Sequence, residues 1–315
     1  MMFDRRLILN FDWTLLITVV FVSIMGVLNL YSSTYPHTGS GVPLFMKQIY
    51  WFLVGVSLAA VILLFDYRTF IRYAYPFYIF CLFLLFMVMI FGRTTSGSQR
   101  WLQLGFFSFQ PSELMKLALI LAFTRYFTEN ENPLGYGFWD LLVPFLILAI
   151  PLALIFKQPD LGTTGLLFLI SFSILAFMGL RPRTWLTLGA ACAAAAPIFW
   201  HFLKDYQKTR LLTFINPDLD PLKTGYHITQ SKIAVGSGTI WGKGWLKGTQ
   251  SQLHFLPEQH TDFVFSVWAE EWGFFGSFLL LFLFLLFISR GLKIANTSKD
   301  RAGAILAIGL SLIHI

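Results

Sequence analysis

Apolar runs recur along this chain at a length that suits one environment. They fall at about 12–33, 45–65, 71–92, 112–127, 139–156, 162–180, 183–201 and 263–289, and a ninth begins near Ala302. A helix needs roughly 20 apolar residues to cross a bilayer, and these runs are of that order. Only 12% of the residues are charged and the mean hydropathy is +0.67, whereas soluble domains carry about 25% charged residues. The expected fold class is therefore an all-α polytopic integral membrane protein. Eight spans are complete; the ninth is begun and stops at Ile315 in the run SLIHI, which suggests a piece of a longer chain.

The start, MMFDRRLILN, is basic ahead of a span of about 22 residues. That is too long for a signal-peptide core, so the span is read as a retained anchor. Cys81 and Cys192 both fall inside apolar runs. There they act as small hydrophobes, which supports neither a disulfide framework nor a thiolate metal site. The net charge of +7 comes from Lys and Arg scattered through loops. Without a basic tract or interleaved stacking aromatics it points to an anionic membrane surface or lipid, not to nucleic acid.

Placing the N-terminus in the cytoplasm puts Arg68, Arg72, Arg125, Arg181, Arg183, Arg290, Lys293, Lys299 and Arg301 on the same side, as the positive-inside rule requires. The outer connections are then 34–44, 93–111, 157–161 and 202–262. Two short ones break the rule with Arg93, Arg100 and Lys157, and Lys116 lies one turn inside the fourth span. Cations on the disfavoured side need another reason to be there, and substrate binding is one. Glu113, Asp160 and Asp262 share those outer segments. The loop 202–262 is long for a connection and mixes aromatics, glycines and amphipathic pieces, which favours a folded lid or re-entrant segment over disorder.

Each motif has a plain reading beside a chemical one. In PSELMK, Pro111 suits a first helical turn, and Glu113 and Lys116 share a face as either an interfacial cap or a buried pair. Ser112 and Lys116 are four apart, not three, so a Ser-Lys nucleophile is disfavoured. KQPDLGTT sets Lys157 and Asp160 in a short turn that is either a simple hairpin or the edge of a wet cavity. In VGSGTIWGKGWLKGTQ three residues separate Gly238 from Gly242, where a nucleotide phosphate loop needs four. A flexible lid, or a diphosphate cradle with Lys243 and Lys247, remains. His254, Glu258, His260 and Asp262 match no zinc spacing, and Pro257 interrupts them.

The eighth span opens at LPEQHTDFVFSVWAEEWG. With Thr261 as helix cap, Asp262, Ser266, Ala269, Gly273 and Gly276 form one stripe, a carboxylate above small residues, while Glu270 and Glu271 fall off it. Small stripes serve close helix packing, or here a groove. An outward-facing apolar site with cations suits a lipid-linked sugar diphosphate. Glycosyl transfer from such a donor needs one base for the acceptor hydroxyl, and cations stabilise the leaving diphosphate.

QRWLQLGFFSFQPSELMKL, KQPDLGTT and the run from GYHITQSK to SVWAEEWG together resemble the SEDS family, and GTQSQLHFLPEQHTDF resembles its elongation branch more than its division branch. The resemblance implies a SEDS fold of about ten spans, a single transmembrane domain over 1–315 with a large extracytoplasmic loop at 202–262. It implies a peptidoglycan glycosyltransferase that polymerises lipid II into glycan strands on the outer face of the bacterial inner membrane. A class B penicillin-binding protein is the implied transpeptidase partner within the elongation complex. By the same resemblance the aspartate of HTDF, Asp262, is catalytic. Arg100, Glu113, Lys116, Lys157, Asp160, Lys243, His260 and Thr261 are the candidate substrate contacts. No built-in cofactor is expected, although Mg or Mn could accompany the diphosphate. Two competing readings are a lipid-linked precursor flippase, which would want polar residues at the bilayer midplane, and a non-catalytic scaffold, which would not need Asp262.

Overall fold

In the computed structural model, residues 11–35, 42–95, 98–104, 107–216, 224–253, 255 and 259–313 are described. The basic N-terminal run and the pair His254 and Glu258 lie outside them. Among the described residues, seven helices are long and apolar enough to cross a membrane. Contacts divide the chain into two compact units, Met1–Leu63 with Ala195–Phe287, and Leu64–Ala194 with Ile288–Ile315.

In the first unit, α1 (Trp13–Thr34) starts where the Asp12 carboxylate accepts from the Leu15 amide at 3.0 Å. The helix α2 (Leu44–Ile62) packs against α1 but fully buries none of its residues.

The second unit carries α3 (Tyr67–Arg72) and α4 (Ala74–Phe91), then an antiparallel meander of β1 (Arg93–Thr95), β2 (Ser98–Leu104) and β3 (Phe107–Phe109). After it come α5 (Pro111–Glu129), α6 (Leu142–Lys157) and α7 (Leu161–Met178). The fourth run does not meet the apolarity of a lipid-facing span, and the packing explains why. Eleven residues of α5 are buried, among them Met115, Leu119, Ile120, Phe123 and Phe127. They share one core with Cys81 and Leu85 of α4, Ile155 of α6, and Ile170 and Ile174 of α7. A helix largely enclosed by protein need not be apolar all round: α5 buries Lys116 beside Glu113, and keeps Glu113 and Glu129 exposed towards its two ends. The meander was not anticipated. Alternation in SQRWLQLGFFSF and glycines between the strands were its signals.

From the second unit into the first runs α8 (Pro182–Phe202), of which only Thr184 is buried. The loop that follows is folded: α9 (Asp205–Ile215), α10 (Thr224–Ser237) and the short α11 (Thr249–Gln252) occupy most of its described residues. Then comes α12 (Val264–Thr297), broken at Gly273, where φ is 63° and ψ is −156°. The chain's last described helix, α13 (Arg301–Ile313), joins the core of the second unit through Ile305 and Ile308.

The break in α12 explains the glycine-rich turn. Four carbonyls and four amides at a helix break lose their partners, and in a membrane each costs several kcal/mol unless replaced. The turn replaces them. The Lys243 and Gly244 amides donate to the Glu270 and Glu271 carbonyls at 3.0 Å each, and the Phe274 and Phe275 amides donate to the Thr239 and Ile240 carbonyls at 2.9 and 3.3 Å. This requires backbone against backbone. Gly242 has φ +81°, and a methyl group there would overlap the Glu271 carbonyl. Gly242→Ala is accordingly expected to destabilise the protein by about 2 kcal/mol, seen as a lowered melting temperature in detergent.

Candidate functional site

The candidate residues fall into two groups, one in each unit. In the second unit, β2 carries Arg100 and the turn after α6 carries Asp160. The Arg100 Nη2 donates to the Pro159 carbonyl at 2.5 Å, and Nη1 lies 3.7 Å from Asp160 Oδ1. Asp160 is buried and caps α7, accepting from the Thr163 amide at 3.2 Å and the Thr163 hydroxyl at 2.9 Å. The meander thus delivers a guanidinium to a capped carboxylate, with part of that guanidinium still open to solvent. Lys157 ends α6, where the helix dipole favours a cation, and is exposed.

One turn into α5, Lys116 is 6% exposed. Its ammonium lies 2.9 Å from the Glu113 carboxylate, whose side chain is 55% exposed. The lysine does not snorkel outward; it is held inside by a partner that stays wet. Asp160→Ala should cost about 1 kcal/mol through loss of the cap, while Asp160→Asn keeps a capping oxygen and most of the stability. Chemical unfolding compares the two.

In the first unit, the turn over residues 259–263 precedes α12 and carries His260, Thr261 and Asp262, all exposed. Two expectations are corrected here. The helix starts at Val264, and the Phe263 carbonyl accepts from the Ser266 amide at 3.0 Å, so Thr261 is not its cap. Asp262 therefore stands ahead of the helix and does not head a helical stripe. The small residues below it do not line an open groove either. The Ser266 hydroxyl is 2.6 Å from that of Ser231, and Ala269 packs against Gly238 so closely that a methyl group on Gly238 would overlap the Ala269 carbonyl.

The glycine-rich turn fills that space, and its Lys243 and Gly244 amides are spent on α12 instead of being free to cradle a diphosphate. The Lys243 ammonium meets the fully buried Glu270 carboxylate at 2.6 Å, and the same carboxylate accepts from the Thr249 hydroxyl at 3.0 Å and the Gln250 amide at 3.1 Å. Lys247 is exposed. Glu271 is buried and accepts from the Ser32 hydroxyl of α1. Among the described residues, no group of three or more His, Cys, Asp or Glu is placed to hold a metal.

Two features escaped the sequence reading. One is the Glu270 node. The other is the face of α1 formed by Asn29, Ser32 and Ser33, all buried. The Asn29 Nδ2 donates to the Val264 carbonyl at 2.7 Å, and the Gln259 Nε2 donates to the Ser33 carbonyl at 2.8 Å. The signal was three polar residues at helical spacing in an otherwise apolar span. Lys243→Met would strand the buried Glu270 carboxylate and should destabilise by about 3 kcal/mol, with the double variant Lys243→Met/Glu270→Gln recovering part of that. Thermal unfolding of the pair is the check.

Seven membrane-length apolar helices, together with charged side chains held in turns at the ends of helices, define a polytopic helical membrane protein. A family model described as cell cycle protein, FtsW/RodA/SpoVE, matches residues 12–315, and the chain belongs to that family. It is 39% identical over 308 residues to the peptidoglycan glycosyltransferase MrdB of Escherichia coli (strain K12), covering 96% of this chain and 81% of that one. It is 31% identical to the peptidoglycan glycosyltransferase RodA of Treponema pallidum (strain Nichols), covering 97% and 88%. Among solved structures, a chain from a study of polymerization and crosslinking by a peptidoglycan synthase complex superposes with a TM-score of 0.79 at 31% identity, covering 96% of this chain and 83% of that one. The rod shape determining protein RodA of Thermus thermophilus gives 0.68 at 27%, covering 96% and 81%.

Proposed function

We propose that this chain is a peptidoglycan glycosyltransferase that polymerises lipid II during cell-wall elongation, with Asp262 as the base. Family membership and the names of its relatives support the activity. The observation that carries the assignment of Asp262 is its setting: an exposed carboxylate on a short turn at the mouth of an apolar helix, between anchors that are buried.

The step balances simply. The acceptor hydroxyl oxygen attacks the anomeric carbon of the donor, its proton passes to the Asp262 carboxylate, and the bond from that carbon to the diphosphate oxygen breaks. Undecaprenyl diphosphate leaves as an anion, so no acid need protonate it, in contrast to the two-carboxylate glycosidases. Arg100, Lys116 and Lys157 supply positive charge for the diphosphate, each in a different way. Lys157 is exposed, Arg100 is partly so, and Lys116 is paired with the Glu113 carboxylate. Glu113 and Asp160 hold those cations, and Lys243 holds the turn while His260 and Thr261 flank the base. A divalent ion, Mg or Mn, would accompany the diphosphate and supply further positive charge to it.

The reading places the site on the outer face of the bacterial inner membrane, with a class B penicillin-binding protein cross-linking the strands made. The relative from a peptidoglycan synthase complex supports such a partner. Full-length protein with its partner, supplied with lipid II, tests the assignment. Asp262→Ala is expected to lower turnover at least ~100-fold while remaining folded. Polymerisation at the wild-type rate would remove Asp262 from the mechanism, and lipid transfer across liposomes without polymerisation would favour a flippase.

A further inference from the structure

We propose that Asn29 and Gln259 are positioning residues that fix the Asp262 turn against the end of α1. The inference rests on the reading of Asp262 as the base and adds what holds it.

Five residues, Gln259 to Phe263, form the turn. Its two ends are tied to one helix. On one side the buried Gln259 amide donates to the Ser33 carbonyl at 2.8 Å; on the other the buried Asn29 amide donates to the Val264 carbonyl at 2.7 Å. The Ser33 carbonyl lies in the last turn of α1, where carbonyls have no partner within the helix, so Gln259 answers a demand that α1 already makes. Asn29 and Ser33 are four residues apart and so lie one above the other, about 6 Å along the helix axis. That rigid spacing becomes the spacing of the two ends of the turn. A third tie, from the Ser32 hydroxyl to Glu271, holds α12 two turns further along. All three ties leave α1 from one face of buried residues, two of the hydrogen bonds being buried and the one from Asn29 part-buried, and burial strengthens a hydrogen bond and makes its loss felt more.

A base must lie within hydrogen-bond reach of its proton, and displacement by about 1 Å can cost about 100-fold in rate. Asn29 and Gln259 touch neither the proton nor the substrate; they act through the backbone on either side of Asp262. Their loss therefore changes the rate of the chemical step more than lipid II binding.

The test uses full-length protein with its partner in nanodiscs. Asn29→Leu and Gln259→Met remove the two donors with little change in volume. Each is expected to lower kcat for lipid II polymerisation about 10- to 100-fold, with KM changed less than about threefold. Melting temperatures should stay within a few degrees of wild type, and Asn29→Gln, which restores an amide, should recover part of kcat. The double variant should lose less than the product of the singles, because both act on one turn. A nitroxide on Asp262→Cys, in a chain with Cys81→Ala and Cys192→Ala, should become more mobile when Asn29→Leu is added. Unchanged kcat in both variants, or a kcat loss that follows loss of folded protein with unchanged nitroxide mobility, overturns the proposal. If Asp262→Ala itself remains active, the base reading fails separately, and the mobility of the nitroxide still decides whether α1 fixes the turn.

Discussion

The fold of the first unit depends on backbone hydrogen bonds made across a gap in a helix. At Gly273 the regular ladder of α12 stops, and the turn from Gly238 to Gly244 supplies amides to the carbonyls below the gap and carbonyls to the amides above it. Neither partner is satisfied alone. In hydrocarbon a broken helix is tolerated only where protein restores its bonds, and a glycine-rich turn needs a surface that makes use of its exposed backbone. The nine residues from Val264 to Trp272 are consequently a separate short helix in all but name, held at one end by that turn and at the other by α1. Asp262 stands at the second end.

The second unit solves a different problem with the same economy. Charges that would be costly in lipid are gathered on α5 and on the turn before α7, and each is paired with something local. Lys116 has Glu113 three residues away, and Asp160 has the first turn of its own helix together with Arg100. The pairs are graded in exposure. A buried ammonium beside a wet carboxylate makes a pair without a second buried ion, which avoids the larger desolvation cost of a fully enclosed pair.

The helices were legible in the sequence because hydrocarbon thickness and helical rise leave few choices of length. Pro111 at the start of α5 and Asp160 at the start of α7 fall at the first turns, where local chemistry places them. The fate of α5 was less visible: its charges lower its hydropathy, and only packing tells that its neighbours are protein. The start of α12 was misplaced by two residues, because Thr261 looks like a cap while a turn held from outside postpones the helix. The Glu270 node and the α1 anchors join residues 20 to 239 positions apart, and separations of that size leave no local signature. What Glu270 and Glu271 grip was not readable. Lys243 looked free in the sequence because nothing near it marks its partner 27 residues on.

A continuous helix behaves as a lever: tilt at one end appears at the other. The interruption at Gly273 replaces that direct path with a joint. The long apolar stretch beyond Gly273 meets the segment beside Asp262 through a non-helical glycine and through the glycine-rich turn, which is bonded to both sides of the break. The end that carries Asp262 takes its reference frame from α1 and the glycine-rich turn. In mechanical terms the break is a splinted joint, with the turn from Gly238 to Gly244 as the splint that fixes both helical segments to one another.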